Sequence, residues 1–259
     1  MIPISDDNPT RRKPYVVYAL VALNVLVYLV DHASARGPLS ALWDYSMVPY
    51  SVIHDTPVKV PVGRNPYGQV LVATHLGLNP QWLTIFTSMF MHASLMHIGG
   101  NMLYLWIFGN NIEDVLGHTK FLLFYLASGV LAALAHVYSD VNSVIPTVGA
   151  SGAIAGVLGA YLIVYPHARV NTVVILGFFW DLVQIPAVFV LGVWFLLQLT
   201  GVLGTGGQIG GGVAYWAHVG GFVAGAVMIL LLGGRGLARR RRSYLSRYDE
   251  ERPYPWRRW

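Results

Sequence analysis

The sequence predicts an all-α polytopic membrane protein, a bundle of six transmembrane helices. Three observations point there. The chain of 259 residues is 55% hydrophobic and only 11% charged, against about 25% charged residues in an ordinary soluble domain. A single soluble core could hardly hide that much apolar surface. The apolar residues also gather into six runs close to the roughly 20 residues that a membrane-crossing helix needs.

Taken in order, the runs cover residues 15–30, 83–108, 121–138, 145–165, 185–203 and 213–232. The first is preceded by Arg11, Arg12 and Lys13 and followed by Ala33-Ser34-Ala35, which imitates a cleavable leader; it is read as a retained span. The fourth is bracketed by Pro146 and Pro166. A shorter apolar patch, residues 172–180, is too short to span and is expected to lie at the interface before Asp181. The chain thus divides into an N-terminal segment 1–14, a membrane domain 15–233 and a basic tail 234–259. The loop 34–82 is long and rich in Pro and Gly, with apolar pieces at 42–53 and 70–78; loops of that length usually carry function or are disordered. The segment 200–212 is glycine-dense and uncharged, as expected of a mobile connection.

Orientation follows from the positive charges. With the N-terminus in the cytoplasm, Arg11, Arg12, Lys13, Lys120, Arg169 and the nine arginines after Gly234 are cytoplasmic, and only Arg36, Lys59 and Arg64 lie outside. Both termini are therefore expected inside. The net charge of +5 suits a membrane surface better than nucleic acid, because the basic cluster directly follows an apolar span. The absence of cysteine excludes disulfides, a thiol nucleophile and thiolate metal sites.

Ionisable and polar groups within spans are costly and are functional candidates by default. Those singled out are His92, His97 and Asn101 in the second run, His136 in the third, Ser151 in the fourth and His218 in the sixth. The second, fourth and sixth runs descend in the same direction. Ser151 and His218 enter their runs by about six and five residues, which at 1.5 Å per residue puts them within a few Å of one depth. His218, Gly221 and Gly225 share one helical face; Ser151, Ala155 and Gly159 share another, with Gly152 and Gly156 beside it. Small residues at that spacing let helices approach closely in lipid. A serine needs an adjacent base to act as a nucleophile, and His218 could be that base. Asn101 and His97, four residues apart, and the Ser151 backbone N–H could stabilise an oxyanion. No carboxylate is expected at that depth, which favours a dyad over a triad.

These residues carry a resemblance. Gly149-Ala150-Ser151-Gly152 resembles the GxSG signature of the rhomboid family, and His92-Ala93-Ser94-Leu95-Met96-His97-Ile98-Gly99-Gly100-Asn101 resembles its HxxxxHxxxN segment. His218-Val219-Gly220-Gly221-Phe222-Val223-Ala224-Gly225 resembles its HxxGxxxG helix, and Glu113 with Gly117 its ExxxG. The resemblance runs from about residue 24 to 232. It implies a six-helix rhomboid-like bundle in a membrane, such as a bacterial plasma membrane, with a site opening towards the outer face. It implies intramembrane serine endopeptidase activity by Ser151 and His218, with an oxyanion hole from the Ser151 N–H, His97 and Asn101, and with no metal and no ATP. Substrates would be single-span membrane proteins cut near the outer interface after a small residue. The loop 34–82 would be half-embedded, and the segment 200–212 a mobile cap. Two departures stand out. Leu83-Thr84 replace a Trp-Arg pair found in some relatives, and Ala155 replaces an aromatic that packs on the base, so His218 must be held by another group, such as Gly152 or Phe222.

Each residue also has a plainer reading. Ser151 alone would be a packing residue and His218 an interior histidine; their shared depth reverses both. His97 and Asn101 could simply bond across helices, though the oxyanion role is preferred. His92 is evenly divided between site and scaffold, and His136 reads as structural. Glu113 reads as a loop-tying carboxylate, and Asp181 as interfacial. The run Arg239–Arg242 is a topology anchor in preference to a lipid-specific site, and Trp256 and Trp259 mark an interfacial or disordered tail. No H-E-x-x-H helix or intramembrane aspartate pair is present. The rival functions are a catalytically inactive relative that binds or escorts membrane helices and, more remotely, a transporter.

Overall fold

The computed structural model describes residues 1–34, 43–176, 179–204 and 213–239. Most of the expected cap at 200–212, residues 240–242 of the basic run, Trp256, Trp259 and Ala35 of the leader-like motif lie outside the described residues. In chain order, strand β1 (Ile2–Asp6) precedes helix α1 (Tyr15–Ser34), and α2 (Pro49–His54) precedes the hairpin β2 (Val58–Arg64) and β3 (Val70–His75). Then come α3 (Thr84–Thr87), α4 (Leu95–Tyr104), α5 (Asn110–Leu116), α6 (His118–Ser139) and α7 (Ser151–Val164). The strands β4 (Arg169–Leu176) and β5 (Phe179–Pro186) lead to α8 (Ala187–Gly204) and α9 (Tyr215–Leu231).

The fold is mostly helical, but not all-α. The patch 172–180, too short to span, falls in the hairpin of β4 and β5, rich in Val and Ile, which suit a pleated surface. β1 adds to β4 antiparallel, giving the order β1-β4-β5. A second hairpin, β2 with β3, sits inside the long loop. It turns at residues 65–68, where Asn65 Oδ1 accepts from the N–H of Tyr67 and of Gln69.

Among the described residues, three helices are long and apolar enough to cross a membrane: α1 over Tyr15–Ala33, α6 and α8. α7 and α9 are apolar but shorter; the 14 residues of α7 rise about 21 Å. The six expected runs therefore do not appear as six long helices among the described residues. The second run is broken at its start. Residues 81–90 form short helical turns, and the main helix begins only after Ser94, whose side chain accepts from the His97 N–H at 3.2 Å as an N-cap. From there α4, a π-helical turn Leu105–Gly109 and α5 follow one another without a break to Gly117, whose φ of 78° ends the helix. The fourth run enters as extended chain, tied by the Met47–Thr147 bridge and by the Gly149 N–H donating to the Ser88 carbonyl at 2.9 Å.

α7 is the centre of the bundle. Ala153 to Ala155, Val157, Leu158, Ala160 and Tyr161 are all buried, as expected of a helix that is apolar all round. α1 and α8 are peripheral, and expose Leu26 and Leu29, and Phe189, Leu196 and Leu197. Exposed apolar faces of that kind suit lipid rather than water. α7 and α9 cross with their backbones in contact. A Cβ on Gly159 would strike the Phe222 carbonyl; one on Gly221 would strike the Gly152 carbonyl, and one on Gly225 the Gly156 backbone. Glycine is the only residue that allows this approach.

The end of the bundle away from Ser151 is closed by buried carboxylates. Glu113, 1% exposed, accepts from the N–H of Val16 at 2.9 Å and of Val17 at 2.8 Å and pairs with His118. It thereby caps the first turn of α1, where the orphan amides and the helix dipole favour a negative charge. Asp114 accepts from the N–H of Arg11 and of Arg12. Asp6 accepts from the Tyr161 hydroxyl and the Asn111 amide and so docks β1. Burial, with the Asp7 charge adding to it, pushes the Asp6 carboxyl up from 3.8 to about 6.

Glu113→Ala is expected to cost about 2–3 kcal/mol, because buried donors lose a charged acceptor. Thermal unfolding in detergent checks this, and an unchanged midpoint contradicts it. Docked β1 also retains a proton that a free strand releases between pH 3.8 and about 6, so its docking weakens as pH rises through that window. Hydrogen exchange of the β1 amides, corrected for intrinsic rate, is expected to quicken between pH 4 and 7 in wild type. Asp6→Asn is expected to lose that dependence.

Candidate active site

The site begins with the chain that enters α7. Gly149 has φ 131°, a conformation that side chains rarely adopt, and a Cβ there would meet the His97 ring at 2.8 Å. The strained turn presents Ser151 as the first residue of α7. Its backbone N–H belongs to the amides that a helix leaves without an intrahelical partner, at the positive end of the helix dipole.

His218 is the fourth residue of α9. The glycine crossing brings its Nε2 to 2.8 Å from Ser151 Oγ. Both groups stand at helix beginnings rather than several residues inside a span, and this end of the bundle is the one covered by residues 43–90. Its other ring nitrogen, Nδ1, lies 2.7 Å from Gln198 Oε1 on α8. The ring set beside the imidazole is that of Trp194 of α8, with centroids 5.8 Å apart. Trp194 in turn stacks on Phe222. Trp194 and Gln198 are the groups that the reading of the sequence missed. The available signal was a lone amide in an apolar helix, which needs a partner in lipid.

His97 is the third residue of α4 and Asn101 stands one turn on, so both face the same way. They line one cavity of about 760 Å³ together with Ser151 and His218. Its apolar wall includes Met47, Met89, Ala133 and Ile154. Asn101 is buried, and among the described residues its Nδ2 has no hydrogen-bond partner, so it is a donor available to a group in the cavity. His92 lies in the extended segment before Ser94 rather than within a helix. It is buried, its ring edge-on to that of His97 at 5.0 Å. His136 Nε2 lies 3.0 Å from Thr147 Oγ1, which ties α6 to the strand that feeds Ser151. Gly152, Gly221 and Gly225 serve the crossing, Glu113 lies at the opposite end, and Asp181 accepts from the Leu182 N–H in the exposed hairpin. Among the described residues, no three His, Asp or Glu side chains are grouped so as to hold a metal ion.

Comparison with known proteins gives one consistent result. The family model described as "Rhomboid domain" matches residues 79–235, more than half of the chain. Rhomboid-like protein 11, chloroplastic, of Arabidopsis thaliana is 30% identical over 237 residues, which cover 88% of this chain and 69% of that protein. Rhomboid protein 1, mitochondrial, of Saccharomyces cerevisiae is 36% identical over 92 residues, 34% of this chain and 27% of its own. Rhomboid protease GluP of Bacillus subtilis is 42% identical over 84 residues, 32% of this chain and 16% of its own. The chain thus spans well under two thirds of the yeast and Bacillus relatives. With a matched domain that runs from the start of the broken second run to the end of α9, and a plant relative aligned along most of its length, this chain belongs to the rhomboid family.

Proposed function

We propose that this protein is an intramembrane serine endopeptidase that cleaves the membrane-spanning segments of single-span proteins. The observation that carries the reading is the 2.8 Å contact between Ser151 Oγ and His218 Nε2 within a cavity that also holds His97 and Asn101.

The chemistry follows from the geometry. Ser151 donates its hydroxyl proton to His218 as its oxygen attacks the scissile carbonyl carbon. Negative charge then develops on the carbonyl oxygen. The Ser151 backbone N–H, Asn101 Nδ2 and the His97 ring are the donors available to it. Asn101 Nδ2 is bonded to no other described residue, which leaves it available for that role. His218, now an imidazolium, returns the proton to the leaving amine, and water then releases the acyl group by the same steps in reverse order. The proposed reaction uses the chain's own groups and water, without metal or nucleotide. A substrate helix must unwind to expose a carbonyl, and the cavity wall of methionine and small side chains offers it an apolar lining.

The setting belongs to the same proposal. The six apolar runs are read as six passes through the bilayer, in which the short α7 and α9 need not reach both surfaces because neighbouring helices surround them. Both termini face the cytoplasm, as the distribution of Lys and Arg supports, and the site opens towards the outer face, as in a bacterial plasma membrane. The lipid bilayer and a single-span substrate are the partners; nucleic acid is not.

A serine-directed fluorophosphonate is expected to label the purified protein in lipid vesicles, and Ser151→Ala and His218→Ala are expected to abolish labelling. An unlabelled, folded wild type would instead support a relative that binds or escorts membrane helices. Asn101→Ala is expected to slow cleavage of a single-span substrate by about two to three orders of magnitude without lowering thermal stability. Unaltered turnover would remove Asn101 from the oxyanion hole.

A further inference from the structure

We propose that Gln198 is a positioning residue for His218. It fixes the imidazole in the tautomer that carries its proton on Nδ1 and leaves Nε2 free to take the proton of Ser151. This rests on the proteolytic reading of the site and extends it from two residues to three.

The assignment follows from donors and acceptors. Gln198 touches two groups through its amide. Its Nε2 lies 3.3 Å from the Trp194 carbonyl oxygen one turn earlier, and its Oε1 lies 2.7 Å from His218 Nδ1. A backbone carbonyl can only accept, so the group facing it must be the NH₂. The amide carbonyl therefore faces the imidazole, and it too can only accept. His218 Nδ1 must then carry a hydrogen. A neutral imidazole has one N–H, so Nε2 presents a lone pair, and it presents it to Ser151 Oγ at 2.8 Å. The reversed amide would set Oε1 against the Trp194 carbonyl, and the other tautomer would set two lone pairs against each other at 2.7 Å. Either arrangement loses a hydrogen bond in this part-buried place.

Trp194 and Gln198 are four residues apart and so share a face of α8. One packs its ring beside His218 while the other bonds its nitrogen. α8 thus holds the base in both position and protonation. The ionisable groups whose charge would bear on His218 are His97 and His136, from α4 and α6. Neither is an acceptor bonded to Nδ1, and no carboxylate takes that place among the described residues. The orienting group is neutral, so it selects a tautomer without adding a negative charge to the site.

The test uses the full chain in lipid vesicles with ¹⁵N-labelled histidine, with the His218 signals assigned by their loss in His218→Asn. Wild type is expected to show a protonated Nδ1 and a bare Nε2. Gln198→Met keeps length and removes the amide acceptor. It is expected to populate both tautomers and to lower the rate of fluorophosphonate labelling at Ser151 by about tenfold or more. Gln198→Glu restores an acceptor and is expected to recover the Nδ1–H tautomer and most of the labelling, which a merely packing role would not require. A wild type with its proton on Nε2 would overturn the proposal, as would a Gln198→Met protein with wild-type tautomer and labelling rate. Absence of labelling in the wild type would count against the proteolytic reading alone, because the tautomer of His218 in the two variants still decides the role of Gln198.

Discussion

Two helix backbones touch, and the rest of the site depends on that contact. α7 offers Gly152, Gly156 and Gly159, α9 offers Gly221 and Gly225, and a methyl group on most of these would collide with backbone of the facing helix. Where lipid tails are as apolar as any side chain, hydrophobic burial gives helices little reason to associate. Close packing and good polar contacts must do so instead. The crossing is placed so that the first turn of each helix lies beside the first turn of the other. Ser151 and His218 are the polar groups on those turns, and their 2.8 Å separation follows from the glycines behind them.

The polar groups are distributed between the two ends of the bundle. At one end, helix beginnings converge: Ser151 opens α7, His218 lies in the first turn of α9, and His97 lies in the first turn of α4. Unpaired amides and aligned dipoles make such a place favourable to negative charge, which is what an acyl-transfer intermediate develops. At the other end, Glu113, Asp114 and Asp6 bind the N-terminal segment to α5 and to Tyr161 of α7. That end holds no candidate nucleophile. Its carboxylates satisfy the first amides of α1 and keep β1 on β4, so the central helix is fixed from below while its upper end stays open to the cavity.

Much of this was legible in the sequence, and the parts that were not share a physical cause. Hydropathy and charge identified a membrane protein, and the descent of alternate runs put Ser151 and His218 at one level before any contact was known. The same averaging over apolar residues hid local stops. Ser94 is one polar residue in a long apolar run, yet its cap starts the helix at Leu95 and leaves His92 outside it. Pro146 and Gly149 shorten the fourth run to a helix of 14 residues. Residues 172–180 read only as a short apolar patch and not as strand, because a strand partner as distant as Ile2–Asp6 leaves no local trace. The lone amide of Gln198 was a signal, but what it and Trp194 touch was not legible, for a related reason. Their meaning is a contact between two helices whose register against each other is set by packing alone.

The account therefore turns on whether the glycine crossing sets the distance between hydroxyl and imidazole. Gly225→Ala adds one methyl group against the Gly156 backbone, whereas Gly192→Ala on α8 adds one where nothing lies within 4 Å. Fluorophosphonate labelling of Ser151 in both variants, with helix content followed by circular dichroism, measures the consequence directly. The account expects labelling to fall about tenfold or more in Gly225→Ala, as overpacking forces the helices apart, and to stay at the wild-type rate in Gly192→Ala. A folded Gly225→Ala protein that labels as fast as wild type would contradict it.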